Sequence, residues 1–468
     1  MLIALPVFSQ SVIGWQAPYP VAHKMYGNLH PRIKLDKHND PMVLWGDENG
    51  KAWFARWGGE SFAQPVNIGP VSTPVFASSW AGPDLAAHGD SVYITYKELP
   101  EEKNHIYVRH SYDGGTNFSA PVMVDKGEEF ITRFPVLTAD ENGNPFISYM
   151  KLTKGYDAAR YVMAGSPDMG ESFLKDTAAS ILSGNTVCDC SPAAPVVSGN
   201  AAVLLYRNNS GGLRNIWGGV SVNGGGSFSK GLQLDSAAYY PATCPASGPH
   251  GVIVGDTLYT VYMSGYRENS IIYLTKLSLS TQAIITQPLT GEVTGVVSQN
   301  FPRISGNGIA EAIVWTQTVG GNNQVSLSFT DELTKGFPAA YDTVAEGVMI
   351  NADVAIGGGY IYVVWEDHVT RTVMFRRGVY YRKKAAVENT TIFINQPQKG
   401  QKHFSVVMPG IVSCALIDAT GGQQELDLSY PKNNDVCKVD LEDMEPGTYT
   451  VKLWDKDGRV YTAQLEIK

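Results

Sequence analysis

Cys188-Asp189-Cys190-Ser191-Pro192 opens a stretch that closes at Cys244-Pro245-Ala246-Ser247-Gly248-Pro249, and between them lies one complete copy of a unit the chain repeats. From Pro192 a run of small apolar residues leads to the turn Ser198-Gly199-Asn200. The chain climbs again through Val203-Leu204-Leu205-Tyr206-Arg207 and crosses a polar loop to Arg214-Asn215-Ile216-Trp217. It then reaches Ser221-Val222-Asn223-Gly224-Gly225-Gly226-Ser227-Phe228. Apolar runs alternating with Gly, Asn and Asp turns are hairpin chemistry, because those turn residues accept the backbone angles that a tight reversal needs.

The same pattern starts at Pro31, Pro83, Pro135, Pro192, Pro249, Pro302 and Ala352, at spacings of 52, 52, 57, 57, 53 and 50 residues. In each copy the second strand ends on an aromatic: Trp45, Tyr96, Tyr149, Tyr206, Tyr262, Trp315 and Trp365. Third and fourth strands follow in most copies, as in Ile106-Tyr107-Val108-Arg109 and then Phe118-Ser119-Ala120-Pro121-Val122. Four antiparallel strands repeated at a fixed period predict an all-β, seven-bladed β-propeller, with six blades as the alternative. Trp15-Gln16-Ala17-Pro18-Tyr19-Pro20-Val21 matches the fourth strands, so the N-terminal strand is expected to complete the last blade and remove an open edge.

The 468 residues allow this large domain and a smaller one, with the propeller expected over 11–387 and a β-sandwich over 388–468. With a net charge of -9 and no dense Lys/Arg stripe, nucleic acid is not an expected partner. No run of about 18 apolar residues predicts a membrane-spanning helix. Residues 1–10, Met1-Leu2-Ile3-Ala4-Leu5-Pro6-Val7-Phe8-Ser9-Gln10, are similar to the tail of a secretory signal, and they also read as a buried strand. Five cysteines fit a secreted or cell-surface protein with one or two disulfides.

Three copies carry a sharper turn: Ser111-Tyr112-Asp113-Gly114-Gly115-Thr116-Asn117-Phe118, Ser166-Pro167-Asp168-Met169-Gly170-Glu171-Ser172-Phe173, and Ser221 to Phe228. These resemble the Asp box of bacterial neuraminidase repeats. The resemblance implies a sialidase-type propeller that binds or hydrolyses a glycan; the competing class is a non-catalytic surface binding or adhesion module. The Asp boxes and first hairpin turns share one end of such a ring, which leaves the blade linkers and the loops between second and third strands at the other. The polar residues gather there, and a pocket of Arg, carboxylate and Tyr side chains would suit an anionic sugar. Candidate catalytic groups are Asp84, Tyr240, Glu268 and Asp353, and candidate substrate-binding groups are Arg133, Arg207, Arg303, Trp80 and Glu366. Sialidases use a Tyr nucleophile activated by a Glu. Each arginine alone also reads as an ordinary ion-pair residue, and Tyr240 as a packing aromatic. The sialidase Arg-Ile-Pro motif is replaced here by Pro31-Arg32-Ile33.

The opening stretch is also similar to an exported sialidase-like group with Cys-x-Cys-Cys-Pro followed one blade later by Cys-Pro-x-x-Gly-Pro, with Ser191 in place of the third cysteine. Cys188 or Cys190 is expected to pair with Cys244 across adjacent blade entrances. A soft-metal site on the same three cysteines is the lesser alternative; neither a metal nor a cofactor is the leading expectation. In the tail, Cys414 and Cys437 are expected to pair, closing a loop of about 23 residues for ~3 kcal/mol. The run Asp440-Leu441-Glu442-Asp443-Met444-Glu445-Pro446-Gly447-Thr448-Tyr449 and the ending Leu465-Glu466-Ile467-Lys468 resemble a type IX secretion sorting domain, implying a secretion-machinery partner. An accessory Ig-like sandwich fits the same residues.

Overall fold

The computed structural model describes residues 13–22, 27–127, 129–184, 186–266, 269–290, 295–380, 390–391, 394, 396–397, 401–407, 411–419, 422–426, 428–429, 436–441, 444–455 and 460–467. Two compact units emerge, one of Ala17–Gly357 with Tyr362–Arg377 and one containing Gly378–Lys468.

The larger unit is a β-propeller whose described residues form seven sheets on a four-strand antiparallel plan. The first strands are Asn28–Leu35, Asp84–His88, Ile131–Ala139, Ala194–Ser198, His250–Val254, Val296–Gly306 and Met349–Gly357. They neighbour one another in chain order, and Met349–Gly357 returns beside Asn28–Leu35. Tyr19 and Pro20 pair with Phe375 and Met374, so the N-terminal chain supplies an outer strand to the seventh sheet.

Packing between sheets explains the aromatic of each second strand, which lies one to four residues before the last residue of the strand rather than ending it as expected. Trp45, Tyr96, Tyr149, Tyr206, Tyr262, Trp315 and Trp365 are all at most 2% exposed, because a second strand is covered by a neighbouring sheet on either face. Pro41–Asp47 and Ser91–Lys97 are accordingly buried along their whole length rather than in alternation.

The Ser-x-Asp/Asn-x-Gly turns are closed by their own side chains. Ser111 Oγ accepts from the Gly115 N–H at 2.9 Å, and Asp113 Oδ1 accepts from the Thr116 and Asn117 N–H groups at 2.9 Å. Asp168 and Asn223 hold the equivalent N–H groups of Ser172 and Ser227 at 2.8 and 2.9 Å. Gly115 is required twice over: its φ is +78°, and an added Cβ would lie 2.7 Å from the Phe54 ring.

The smaller unit packs a five-stranded sheet, which includes Ile411–Ile417, Gly447–Asp455 and Val460–Ile467, with a three-stranded sheet of His403–Val407, Val436–Asp440 and Leu428–Ser429. Its core contains Phe404, Leu416, Val439, Leu453 and Leu465. Cys414 and Cys437 belong to the same core but sit on different sheets, and no disulfide joins them, against the expected pairing. They fill the core as small apolar side chains, and burial pushes the Cys414 thiol up, with Cys437 adding to the shift.

Candidate functional site

The first strands enter the propeller through a recurrent irregularity. His30, Phe134, Phe301 and Asn351 stand at φ 56°, 54°, 50° and 52°, a left-handed conformation that costs a non-glycine residue energy. The ladder slips at three of these entries, between Leu29 and Arg32, Arg133 and Val136, and Asn300 and Arg303. Such bulges re-aim the side chains that follow. Arg32, Val136 and Arg303 close these three slips, and all three line a pocket formed by the starts of all seven copies, with His30, Trp80, Phe134 and Asn351 among its other walls.

Charged groups from several sheets meet at this end. Arg303 Nε lies 3.0 Å from Asp353 Oδ1, and Arg32 Nε lies 3.4 Å from Asp84 Oδ1. Arg32 also donates to His30 Nε2 at 2.8 Å and to its neighbour's carbonyl, Pro31 O, at 2.8 Å. Three of the groups bond the backbone of another sheet. Asp353 Oδ2 accepts from Ile33 N–H at 3.1 Å, Asp84 Oδ2 from Leu137 N–H at 2.7 Å, and His250 Nδ1 from Ile304 N–H at 3.2 Å. Inter-sheet bonds of this kind tie the ring together while fixing the direction of the charges.

The electrostatics follow from burial among like and unlike charges. His30 is held well below the ordinary histidine range, first by burial and then by Arg32 and Arg303. His250 is held low by burial, Arg303 and Lys34. Both imidazoles are therefore neutral. Burial brings Arg32 down to about 10, with Arg303 adding to the effect. Burial would raise the Asp353 carboxyl, but Arg303, Lys34 and Arg32 outweigh it and hold the group well below the usual carboxylate range. Two further atoms show spare polar capacity. The Asn351 side-chain nitrogen is buried with no hydrogen bond among the described residues, and Asp84 Oδ1 has only its ion pair with Arg32.

Aromatic rings border the polar floor. Trp80 meets Phe134 edge-on at 4.9 Å between centroids, and Phe76 backs both at 6.2 Å. Behind them, Glu366 is 1% exposed and accepts from the His30 N–H at 3.0 Å and from Ser79 Oγ at 2.6 Å, with His368 Nε2 at 2.5 Å. Glu366 thus holds the entry backbone rather than the pocket floor.

The sequence candidates divide accordingly. Asp84, Trp80 and Arg303 line the pocket, and Asp353 stands behind Arg303. Arg133 and Arg207 do not join Arg303, so the expected three-arginine cluster is replaced by Arg32 with Arg303. Arg133 is paired with Glu101 at 2.7 Å and stacks over Tyr156 at 5.0 Å. Arg207 is fully buried and donates to the carbonyls of Ser247, Arg214 and Met263. Tyr240 is 64% exposed and absent from the pocket lining; no tyrosine lines the pocket among the described residues. Glu268 lies outside the described residues. Sequence reasoning passed over Lys34, His250, Phe134 and Phe301, and left Arg32 unassigned. The signal that finds Arg32, Asp84, His250, Arg303 and Asp353 is their common place directly after the residue that starts a copy, Pro31, Pro83, Pro249, Pro302 and Ala352.

Comparison of the sequence with protein-family models and with curated proteins gives no match. Solved structures do resemble the fold. The polysaccharide lyase Uly1 superposes with a TM-score of 0.50 at 10% identity, covering 74% of this chain and 89% of its own. An α-L-arabinanase of Penicillium chrysogenum in complex with arabinobiose gives 0.44 at 13% identity, covering 70% of this chain and 100% of its own. The Hadza microbial sialidase Hz136 gives 0.46 at 11% identity, with 77% and 68% covered. At these identities the likeness is one of fold.

Proposed function

We propose that the protein is a glycan-binding or glycan-processing propeller whose axial pocket takes an anionic sugar. The observation that carries this reading is the pairing of Arg32 and Arg303 at a pocket bordered by Trp80 and Phe134. Guanidinium groups match a carboxylate or sulfate in geometry as well as charge, and an aromatic face accepts the apolar side of a pyranose ring. The unmatched Asn351 amide offers donors to a hydroxyl or ring substituent. Recognition is supported more directly than turnover. Asp353 is held ionised, which suits it to orienting Arg303 and not to donating a proton. One oxygen of Asp84 is committed to Leu137 N–H and the other is ion-paired with Arg32, so neither is placed as a proton donor. Export, with the C-terminal unit acting as a sorting domain, belongs to the same reading and rests on the resemblance of residues 440–468.

Calorimetric titration with uronate- or sialate-bearing oligosaccharides and their neutral counterparts tests the reading, alongside a chromogenic glycoside panel for turnover. Anionic sugars should bind and neutral ones should not, with binding weakened by salt. Trp80→Ala should weaken it about tenfold, on the order of 1.4 kcal/mol, measured on protein that circular dichroism shows to be folded. Equal binding of neutral sugars, or indifference to both Arg32→Gln and Trp80→Ala, would overturn the reading.

A further inference from the structure

Three sulfurs crowd one place in the propeller, outside the axial pocket. Cys190 is bridged to Cys244, and the Cys188 sulfur sits 2.7 Å from Cys244 Sγ. The sulfurs of all three residues lie within 4.8 Å of one another. Cys188 is fully buried, whereas Cys190 and Cys244 are half-buried and reach solvent. The backbone fixes this contact, since Cys188 N–H donates to Arg207 O at 2.9 Å. That bond carries the Cys-x-Cys segment along the edge of the strand Ala201–Asn209.

We propose that Cys188, Cys190 and Cys244 form a thiol–disulfide exchange site in which Cys188 and Cys190 compete for Cys244. The Cys188 thiolate attacks Cys244 Sγ, and the Cys188–Cys244 bond forms as the Cys190–Cys244 bond breaks. The electron pair of the broken bond leaves on the Cys190 sulfur, which takes from solvent the proton that Cys188 gave up. One disulfide and one thiol stand on each side of the exchange, so no oxidant or reductant is consumed. The consequence is positional: the thiol moves from a buried residue to one that solvent reaches. There it can attack an external disulfide R–S–S–R, forming the mixed disulfide Cys190 Sγ–S–R and releasing R–S⁻.

The surroundings suit the step. Arg207, whose carbonyl holds the Cys188 N–H, is buried with backbone carbonyls as its hydrogen-bond acceptors, so no carboxylate pairs with its charge in the hydrogen bonds it makes. Asp189 Oδ1 is 3.4 Å from Cys190 Sγ and 3.9 Å from Cys244 Sγ. Its charge disfavours accumulation of thiolate at the outer pair, which keeps the resting thiol at Cys188 and makes release of Cys190 the minor state.

Peptide mapping tests this directly, because an Asp-directed protease cuts between Cys188 and Asp189 and puts the two competitors on separate peptides. Free thiols are blocked with N-ethylmaleimide in mildly acidic denaturant before digestion. Native protein is separately challenged with 4,4′-dithiodipyridine, and the modified cysteine is located in the same way. The expected result is that both Cys188–Cys244 and Cys190–Cys244 linkages are recovered, with the pyridyl adduct on Cys190. The rate of that modification should fall by at least about tenfold in Cys188→Ser, which locks the Cys190–Cys244 bridge. Cys190→Ser should be recovered with Cys188–Cys244 joined; each variant retains one cross-blade bridge. A wild-type protein with only Cys190–Cys244, and an adduct rate at Cys190 equal to that of Cys188→Ser, overturns the proposal. So does purified protein with three thiolates and one equivalent of zinc or copper.

Discussion

Arg303 Nε sits 3.0 Å from Asp353 Oδ1 while the other oxygen of Asp353 receives the Ile33 N–H at 3.1 Å, so a single carboxylate both orients a pocket arginine and fastens the last sheet of the ring to the first. A group with both duties is a poor proton donor, because each partner stabilises its charged form.

Asp353→Asn should therefore destabilise the propeller by about 3–5 kcal/mol near neutral pH, since it leaves Arg303 buried against a neutral amide. The carboxyl is depressed in the folded protein, so its contribution is present above the unfolded value of about 4 and is lost as pH falls below that. Urea unfolding of both proteins should show a gap that is constant from about pH 5 to 8 and narrows toward about pH 3. A gap that widens on acidification would contradict the assignment.

Glu311 makes the opposite prediction. It begins the strand Glu311–Val319, is 0% exposed, and neither carboxyl oxygen has a well-formed hydrogen bond. Burial pushes it up to about 7, against a weak opposing effect of the Gly308 backbone. A raised acid binds its proton more tightly when folded, so stability is full below the unfolded value of about 4.3 and declines as pH rises through the folded one. Glu311→Gln should stabilise the protein by about 2–3 kcal/mol at pH 8 and by little at pH 4, read from paired thermal or urea unfolding curves.

Asp113 separates scaffold from site. Its carboxylate is brought down to about 2 by the N–H of Asn117 first, then by the Asn117 amide and the Ser111 hydroxyl, all within one turn. Asp113→Ala should lower the unfolding temperature and leave the sugar affinity of the axial pocket unchanged within about twofold. A parallel loss of affinity would mean that this turn communicates with the ligand.

Much of this molecule was legible residue by residue. The spacing of the prolines that start each copy, the aromatic within each second strand and the Ser-x-Asp/Asn-x-Gly turns all depend on contacts within one hairpin or between neighbouring hairpins. Such contacts leave a periodic trace, and the contribution of Tyr19–Pro20 to the seventh sheet follows the same trace. The convergence of Arg32 with Arg303 left a fainter one, their shared place directly after the proline that starts a copy. Their partners are distant in the chain, and the bulges at His30 and Phe301 shift the strand register by a step that an alternating pattern does not record. Arg133 stands two residues before Pro135, not directly after the proline as Arg303 does, and it is ion-paired with Glu101.

The cysteines divide along the same line. By itself the sequence determined that Cys188, Cys190 and Cys244 stand at neighbouring entrances, because the repeat fixes where each strand begins. Only the tertiary structure decided that Cys190 carries the bridge with Cys188 pressed against it, and that Cys414 and Cys437 pack a core without joining. Periodicity sets backbone positions to within a residue or two, whereas bonding, pairing and charge placement turn on distances of an ångström that only packed side chains define.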